Sequence, residues 1–183
     1  ILGQPIGRQD QYAASFGGIN SISFGRGITE VMPLDVSLET KNRISEEFTL
    51  VFTGITRSAS EVLSEDPESD EDKLSRLREI RSHADTARGM LESGDLSGLG
   101  ALLKVTWEMK RGISSGVTVD EIDEIYDQIM DTGATGAKLL GAGGGGFFLV
   151  HGNSQTSKEL AQLGLVTIPL GIDEQGSTIV HRG

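Results

Sequence analysis

Hydrophobic residues between positions 74 and 129 recur three or four residues apart, which is the spacing of one helix face. The first run consists of Leu74, Leu77, Ile80, Ala84, Ala87 and Leu91. The second, after a break at Gly94, consists of Leu96, Leu99, Leu103 and Trp107 and extends to Lys110. Because the break is short, we expect these two helices to pack antiparallel. Ile122, Ile125 and Ile129 predict a third helix that ends before Gly133.

Shorter runs rich in β-branched and aromatic residues predict strands. A helix at 9–16 precedes strands at 19–24 and 28–34, and another strand is expected at 48–53. Ser58, with Glu61 three residues later, predicts a capped helix over 59–63. After the third helix we expect a strand, a glycine-rich loop, a strand from residue 147, a helix at 157–163 and strands near 165–170 and 177–181. This mixture predicts an α+β fold.

The glycine-rich loop is the most informative segment, because five of its six residues are glycine and apolar runs flank it. Backbone without side chains adopts left-handed conformations and lets successive N–H groups converge on an anion, usually phosphate. A strand follows the loop, so its G-x-G-x-x-G spacing does not indicate a dinucleotide fold. A tight hairpin without a ligand is the alternative, although a hairpin typically needs one or two glycines. The candidate phosphate loop is Gly141, Ala142, Gly143, Gly144, Gly145 and Gly146.

Composition narrows the classes of partner. A net charge of −11 without a basic stripe argues against nucleic acid. No apolar run approaches the roughly 20 residues that cross a bilayer, so we expect no membrane partner. The chain has no cysteine, which excludes disulfides and thiolate chemistry and suits the cytoplasm.

Asp10 is the candidate for proton chemistry. It stands in Arg8-Gln-Asp-Gln11, at a junction between a loop and a helix, where the helix dipole favours the ionised carboxylate. An ionised Asp can accept a proton. The alternative is that Asp10 only caps its helix.

Other charged residues give weaker indications. Arg57 follows a strand end, and Arg57, Lys110 and Lys138 are candidate contacts to phosphate or solvated surface cations. The three histidines are far apart in sequence, and none has the spacing of a metal site. The acidic stretch 65–72 is interpreted as a solvated loop or the start of a helix, in preference to a cation site.

Two separated motifs carry a resemblance to the GHMP small-molecule kinases. Gly7-Arg-Gln-Asp-Gln-Tyr-Ala-Ala-Ser-Phe-Gly-Gly18 resembles their substrate-side aspartate segment, and Lys138-Leu-Leu-Gly-Ala-Gly-Gly-Gly-Gly-Phe147 resembles their third glycine motif. Phe-Thr-Gly-Ile-Thr-Arg57 and Trp107-Glu-Met-Lys110 are most similar to the members that act on D-glycero-D-manno-heptose 7-phosphate. The resemblance covers nearly the whole chain from Gly7.

The resemblance implies a fold and an activity. Residues 43–183 would form a C-terminal GHMP-kinase-type domain, with a ferredoxin-like sheet and helices on one face, and residues 1–42 a remnant of the N-terminal lobe. The implied reaction transfers the γ-phosphoryl group of ATP to the anomeric hydroxyl of the sugar phosphate. ATP and a small sugar phosphate are therefore the expected partners, with Mg²⁺ as the metal.

The resemblance also assigns roles to residues. Asp10 would be the catalytic base or charge stabiliser beside the sugar hydroxyl. The expected substrate contacts are Gly7, Arg8, Gln11, Arg57 and Lys110. The expected nucleotide contacts are Gly141 to Gly146 and Lys138.

One departure from the family pattern limits these expectations. The main phosphate loop of the family and its Mg²⁺-binding serine precede the segments found here and are absent, so the chain looks like the C-terminal part of a longer kinase. The chief Mg²⁺ ligands are expected in that missing part, and the chain alone is expected to be inactive. A noncatalytic sugar- or phosphate-binding module, and galactokinase-like or mevalonate-kinase-like acceptors, remain alternatives. The oligomeric state stays open.

Overall fold

The computed structural model of the chain describes residues 7–56, 71–112 and 117–180. Its helices are α1 (Gln9–Phe16), α2 (Leu38–Glu47), α3 (Glu71–Ser93), α4 (Leu96–Arg111), α5 (Asp120–Asp131) and α6 (Ser154–Gln162). Its strands are β1 (Asn20–Phe24), β2 (Thr29–Pro33), β3 (Phe48–Phe52), β4 (Gly136–Leu139), β5 (Phe147–His151) and β6 (Val166–Pro169). The α+β prediction is confirmed.

Four strands form an antiparallel sheet in the order β4-β5-β3-β6, and β1 and β2 form a separate hairpin. In the register of the central pair, Phe48 lies opposite His151 and Phe52 lies opposite Phe147. The loop between β4 and β5 therefore lies at the end of the sheet where β3 finishes. This end of the sheet carries the candidate phosphate loop.

Two apolar clusters cover opposite faces of this sheet, because neighbouring residues of a strand point to opposite sides. The larger cluster contains Val51 and Phe148, with Trp107 of α4 and helices α5 and α6. The smaller one contains Phe48, with Ile44 of α2 and Leu96 of α4. The helices thus hold both faces in place and fix α4 against the edge of the sheet.

Helix α4 approaches strand β4 closely because glycines line the contact. A Cβ on Gly136 would lie 2.0 Å from the Gly100 carbonyl oxygen, and a Cβ on Gly100 would lie 2.5 Å from His151 Nδ1. On the other side of α4, Thr106 Oγ1 lies 2.7 Å from His83 Nδ1 of α3. The two helices pack antiparallel across Gly94, as predicted, and the close approach to β4 directs the last turn of α4 toward the β4–β5 loop.

The sequence misses one helix and overstates one strand. Ser37 caps the start of helix α2, because its hydroxyl accepts a hydrogen bond from the Thr40 amide. Little in the sequence indicates this helix, since its buried residues are only Thr40 and Ile44. The strand expected at 177–181 does not form over 177–180, where Ile179 and Val180 are exposed. Isolated apolar residues are therefore a poor guide at both places.

The structure differs from two smaller expectations. Leu74 and Leu77 lie on the predicted apolar face of α3 but are 42% and 43% exposed. Helix α6 begins earlier than expected because Asn153 accepts hydrogen bonds from the amides of Gln155 and Thr156. The helix expected at 59–63 lies outside the described residues. The domain boundary near residue 42 stays a prediction.

A polar network stabilises the end of the sheet opposite the candidate loop. Glu47 accepts hydrogen bonds from Arg43 Nε at 2.7 Å and lies 3.2 Å from His151 Nε2. Arg43 also donates to the Gly94 carbonyl at 3.0 Å. Burial raises the pKa of Glu47, but the hydrogen bonds from Arg43 and His151 outweigh it, so the net shift is below the ordinary value of 4.5. The ionised carboxylate therefore stabilises the fold.

Replacing Glu47 by Gln is expected to lower the free energy of unfolding by about 1 kcal/mol or more at pH 6, since charge-assisted hydrogen bonds are lost. A lowered folded-state pKa means that this stabilisation is present above pH 4.5 and is lost as the pH falls through the folded-state pKa. The difference between wild type and Glu47→Gln should therefore shrink at pH 3 in urea unfolding. Glu46→Gln, at an exposed neighbour, is the control. A difference that stays constant with pH would contradict the role of the carboxylate.

Candidate functional site

The loop between β4 and β5 depends on glycine for its conformation. A hydrogen bond from the Leu140 amide to the Phe147 carbonyl, 2.9 Å long, closes it. All five of its glycines have positive φ angles, from 69° at Gly141 to 158° at Gly145. Residues with a Cβ rarely adopt these angles. The shape of the loop therefore requires glycine at these five positions.

Neighbouring backbone clamps the middle of the loop. Gly144 donates its amide to Val117 O at 2.9 Å, and Gly146 donates to Ile55 O at 2.8 Å. A Cβ on Gly143 would lie 2.7 Å from Val117 O, and one on Gly145 would lie 2.5 Å from Ile55 O. Packing therefore explains part of the glycine content. The N–H groups of Gly144 and Gly146 already have carbonyl partners, and the predicted contact of these two residues with a nucleotide stays a prediction.

The two outer glycines face open space instead. A Cβ on Gly141 or on Gly146 would meet nothing within 4 Å. Gly141 is also exposed, whereas Gly143 and Gly144 are buried. A ligand can therefore approach the loop on the side of Gly141.

One lysine contacts the loop on that side, and a second lies on the strand that leads into the loop. Lys110, in the last turn of α4, donates from Nζ to the Gly141 carbonyl at 2.6 Å. Lys138 of β4 donates from Nζ to the Leu139 carbonyl at 3.2 Å. Both side chains are half-buried. The resemblance assigned Lys110 to the substrate and Lys138 to the nucleotide, and these assignments stay predictions.

The electrostatics of the pair reflect this arrangement. Burial, followed by the charge of Lys138, lowers the pKa of Lys110 to about 8. Burial also lowers the pKa of Lys138. Both ammonium groups lie where a positive charge is poorly solvated, which is a setting that favours an anion.

Asp10 is the second residue of α1 and is not on the elements that carry the glycine loop. Its side chain is exposed, and Arg8, the N-cap residue, makes no side-chain cap hydrogen bond. Among the described residues, no hydrogen bond joins the Asp10 carboxylate to another group. The hypothesis that Asp10 only caps the helix therefore gains no support.

The other substrate-side candidates surround the start of α1. Gln11 places its amide 3.0 Å from Arg8 O and 3.3 Å from Gly7 O. The Arg8 guanidinium lies over the Phe24 ring, 5.4 Å from its centre. Gly7, Arg8, Asp10 and Gln11 thus form one exposed group. Arg57 lies outside the described residues.

Helix α1, which carries the substrate-side candidates, and the glycine loop form hydrogen bonds with different segments of the chain. The C-terminal end of α1 bonds to residues 173–177, for example through Gly18 N and Asp173 O at 2.6 Å. The glycine loop bonds instead to Ile55 and Val117. The resemblance to the kinases implies that Asp10 and the loop face one reaction centre, and this stays a prediction.

Sequence reasoning did not identify Ile55 and Val117 as parts of the site. They act through backbone carbonyls, and no side-chain pattern marks that role. Arg111 is a charged residue beside Lys110, but its side chain has partners within the fold. It forms an ion pair with Asp123 at 3.1 Å and lies over the Tyr126 ring. Arg111 therefore has a structural explanation.

Clusters of metal-ligating side chains and long apolar helices are absent from the described ranges. No group of three or more His, Cys, Asp or Glu side chains there could hold a metal ion, so we assign none of these residues to Mg²⁺. Within the same ranges, no helix combines the length and the apolar character that a bilayer crossing requires.

Comparison with known proteins identifies the class of this fold. Residues 87–165 match the family model described as GHMP kinases C terminal. The chain therefore contains a GHMP kinase C-terminal domain, as the resemblance predicted, and strands β4 and β5 with the glycine loop between them lie within the matched residues. This match covers α4, α5 and the candidate loop.

Individual relatives are sugar kinases. The chain is 34% identical over 149 residues to D-glycero-α-D-manno-heptose 7-phosphate kinase of Campylobacter jejuni, covering 80% of this chain and 44% of that protein. It is 30% identical over 165 residues to L-fucokinase/L-fucose-1-P guanylyltransferase of Bacteroides fragilis, covering 86% of this chain and 17% of that protein.

A solved structure supports the same grouping. The crystal structure of a D-glycero-D-manno-heptose 1-phosphate kinase from Bacteroides thetaiotaomicron superposes with a TM-score of 0.68 at 25% identity, covering 96% of this chain and 49% of that chain. The chain thus spans about half the length of the heptose kinases that it resembles.

Proposed function

We propose that this chain is part of an ATP-dependent sugar kinase that transfers the γ-phosphoryl group to a hydroxyl of a sugar phosphate. The proposed acceptor is the anomeric hydroxyl of D-glycero-D-manno-heptose 7-phosphate. The similarity to the Campylobacter heptose 7-phosphate kinase supports this choice of acceptor. The observation that carries the proposal is the open side of the glycine loop at Gly141, which Lys110 contacts and which follows the strand that carries Lys138.

The chemistry needs positioning and charge stabilisation more than covalent participation by the protein. In phosphoryl transfer, cations and backbone N–H groups offset the negative charge that spreads over the phosphoryl oxygens. The glycine loop and the two lysines supply these groups for the donor. Asp10 orients the acceptor hydroxyl or takes its proton, and Gly7, Arg8 and Gln11 lie beside it as contacts to the sugar. Both roles need the two groups to meet across one cleft.

A second acceptor class follows from the similarity to L-fucokinase/L-fucose-1-P guanylyltransferase, which covers 86% of this chain. That relative favours a sugar without a phosphate group. The two candidates differ in one negatively charged group on the acceptor, so a screen can separate them.

The test is an acceptor screen with the longest form of the protein that its gene encodes, called the full-length protein below. Formation of ADP is measured with ATP, Mg²⁺ and either heptose 7-phosphate, L-fucose or D-galactose. We expect the largest kcat/KM with heptose 7-phosphate. Binding of ATP and of a sugar without any ADP formation would instead indicate a noncatalytic module.

Gly141→Ala tests whether the open side of the loop receives phosphate. Its new Cβ meets no atom, so the fold should tolerate it at a cost of about 1–2 kcal/mol for the left-handed backbone. We expect the affinity for ATP to fall about tenfold, because the methyl group occupies the approach to the loop. Isothermal titration calorimetry on the full-length protein measures this change.

Gly164→Ala is the matched control, since Gly164 also has a positive φ, 76°, and open space around it, but it lies between α6 and β6. The two variants should lose similar stability and differ in ATP affinity. Equal ATP affinities in both would mean that the loop is a hairpin without a ligand.

A further inference from the structure

Lys110 contacts the glycine loop from the last turn of α4, and Lys138 lies on β4, the strand that leads into the loop. Their partners there are two backbone carbonyls, those of Gly141 and Leu139. An ammonium group has three donors and carries a full charge. One neutral acceptor for each group satisfies a fraction of these donors and leaves the charge uncompensated.

The contrast with the neighbouring residue Arg111 is informative. The fold gives Arg111 a carboxylate, Asp123, at 3.1 Å. Within the ranges that the structure describes, neither lysine of the pair forms a salt bridge. Half-buried positive charges are costly to maintain without a counter-charge, and two together cost more. The arrangement therefore suits an anion that comes from outside the described chain.

The space for such an anion lies beside the carbonyl that Lys110 contacts. Gly141 is exposed and has no atom within 4 Å of its Cβ position. The Lys110 side chain needs to exchange one hydrogen bond, from Gly141 O to the anion, to bind a ligand there. A compact anion with several oxygens can accept from both ammonium groups at once.

We propose that Lys110 and Lys138 bind one phosphoryl group together, with Lys110 released from Gly141 O to do so. The inference rests on the proposed function and sharpens it, because it moves Lys110 from the acceptor sugar to the phosphate at the glycine loop. The phosphoryl group can belong to the donor nucleotide or to the sugar phosphate, and the observations on the loop favour the nucleotide.

Lys110→Gln in the full-length protein tests the pairing. We expect the affinity for ATP to fall about 10- to 100-fold, which is the usual effect of losing a charge-assisted hydrogen bond. Lys104→Gln, at an exposed position of the same helix, is the control and should leave ATP affinity within about twofold. Titrations with ATP, with heptose 7-phosphate and with inorganic pyrophosphate distinguish the source of the phosphoryl group.

The dependence on pH gives a second readout. A free-protein pKa of about 8 means that Lys110 loses its proton above pH 8, whereas a bound anion favours the protonated form. The ratio of the ATP affinity of wild type to that of Lys110→Gln should therefore fall between pH 7 and pH 9.5. Nuclear magnetic resonance of labelled lysine, assigned with Lys110→Gln, should show the pKa of Lys110 rising when pyrophosphate is added.

The outcomes separate the inference from the proposed function. If wild type binds ATP and Lys110→Gln binds it equally well, the inference is overturned and the kinase proposal stands. A loss of affinity for heptose 7-phosphate alone would show that Lys110 binds the acceptor sugar phosphate, and it would also overturn the inference. If the wild-type protein binds neither ATP nor pyrophosphate, and the pKa of Lys110 does not change when either is added, both the phosphate site and the proposed function are rejected.

Discussion

Replacing Asp10 by Asn in the full-length protein is expected to lower kcat for sugar phosphorylation about 10²- to 10⁴-fold, the usual cost of losing a general base. The amide keeps the size of the carboxylate but cannot take the hydroxyl proton. Because Asp10 is exposed and makes no hydrogen bond to the described residues, the fold should change little. A fall in kcat with nearly unchanged KM for the sugar would show that the carboxylate acts in the transition state.

Asp35→Asn is the control for charge, since Asp35 is also exposed and follows the β1–β2 hairpin. It should leave kcat within about twofold. Thermal unfolding of both variants checks that α1 remains folded, since removing an acidic residue from the first turn of a helix costs about 0.3–1 kcal/mol. A kcat for Asp10→Asn within tenfold of wild type would reject the proposed role of Asp10.

The sequence predicted the parts of the fold whose side chains repeat regularly. Helix α4, with its apolar residues three or four apart, and strands β3 and β5 were found with nearly correct bounds. Helix α2 was missed because its buried side consists of Ile44 and Thr40, which is too little to produce a periodic pattern. The exposed Leu74 and Leu77 show the converse, since periodicity marks a helix face but does not say what covers it.

The sequence predicted the glycines of the candidate site but not the residues that hold the glycine loop in place. Five glycines in six residues indicated an unusual backbone, and the positive φ angles explain them. The carbonyls of Ile55 and Val117, which hold the loop, belong to residues without any distinguishing chemistry. Contacts of this kind depend on tertiary structure, and side-chain patterns do not encode them.

The contact between Lys110 and the glycine loop was missed for a related reason. Lys110 and the loop are far apart in sequence and belong to different elements, and the resemblance placed Lys110 on a different ligand. They meet because Gly100 and Gly136 let α4 lie against β4, which brings the last turn of α4 to the loop. The small residues that set the distance between helix and strand thus determine the composition of the site.

Replacing Trp107 by Ala is expected to lower the free energy of unfolding by about 3–5 kcal/mol, the range observed when a large buried aromatic residue is truncated. Trp107 is fully buried and packs edge-on against Phe148, with 5.7 Å between ring centres, and against Tyr126 at 6.4 Å. It therefore joins α4 to the sheet and to α5. Urea unfolding followed by far-ultraviolet circular dichroism measures the loss, since the variant lacks the single Trp of the chain.

This substitution also links the core to the site, because Trp107 and Lys110 are three residues apart and lie on the same side of α4. A cavity beneath that turn should let Lys110 leave Gly141 and regain solvent, so its pKa should rise from about 8 toward its ordinary value. Val105→Ala, at a residue of the same helix that is 47% exposed, should change stability by no more than about 0.5 kcal/mol and leave that pKa unchanged. A loss below about 1 kcal/mol for Trp107→Ala would contradict the packing of α4 on the sheet, since full burial of an indole is worth more than that. If the free energy of unfolding falls by the expected amount but the pKa of Lys110 does not change, the loop, and not the core, determines the position of the lysine.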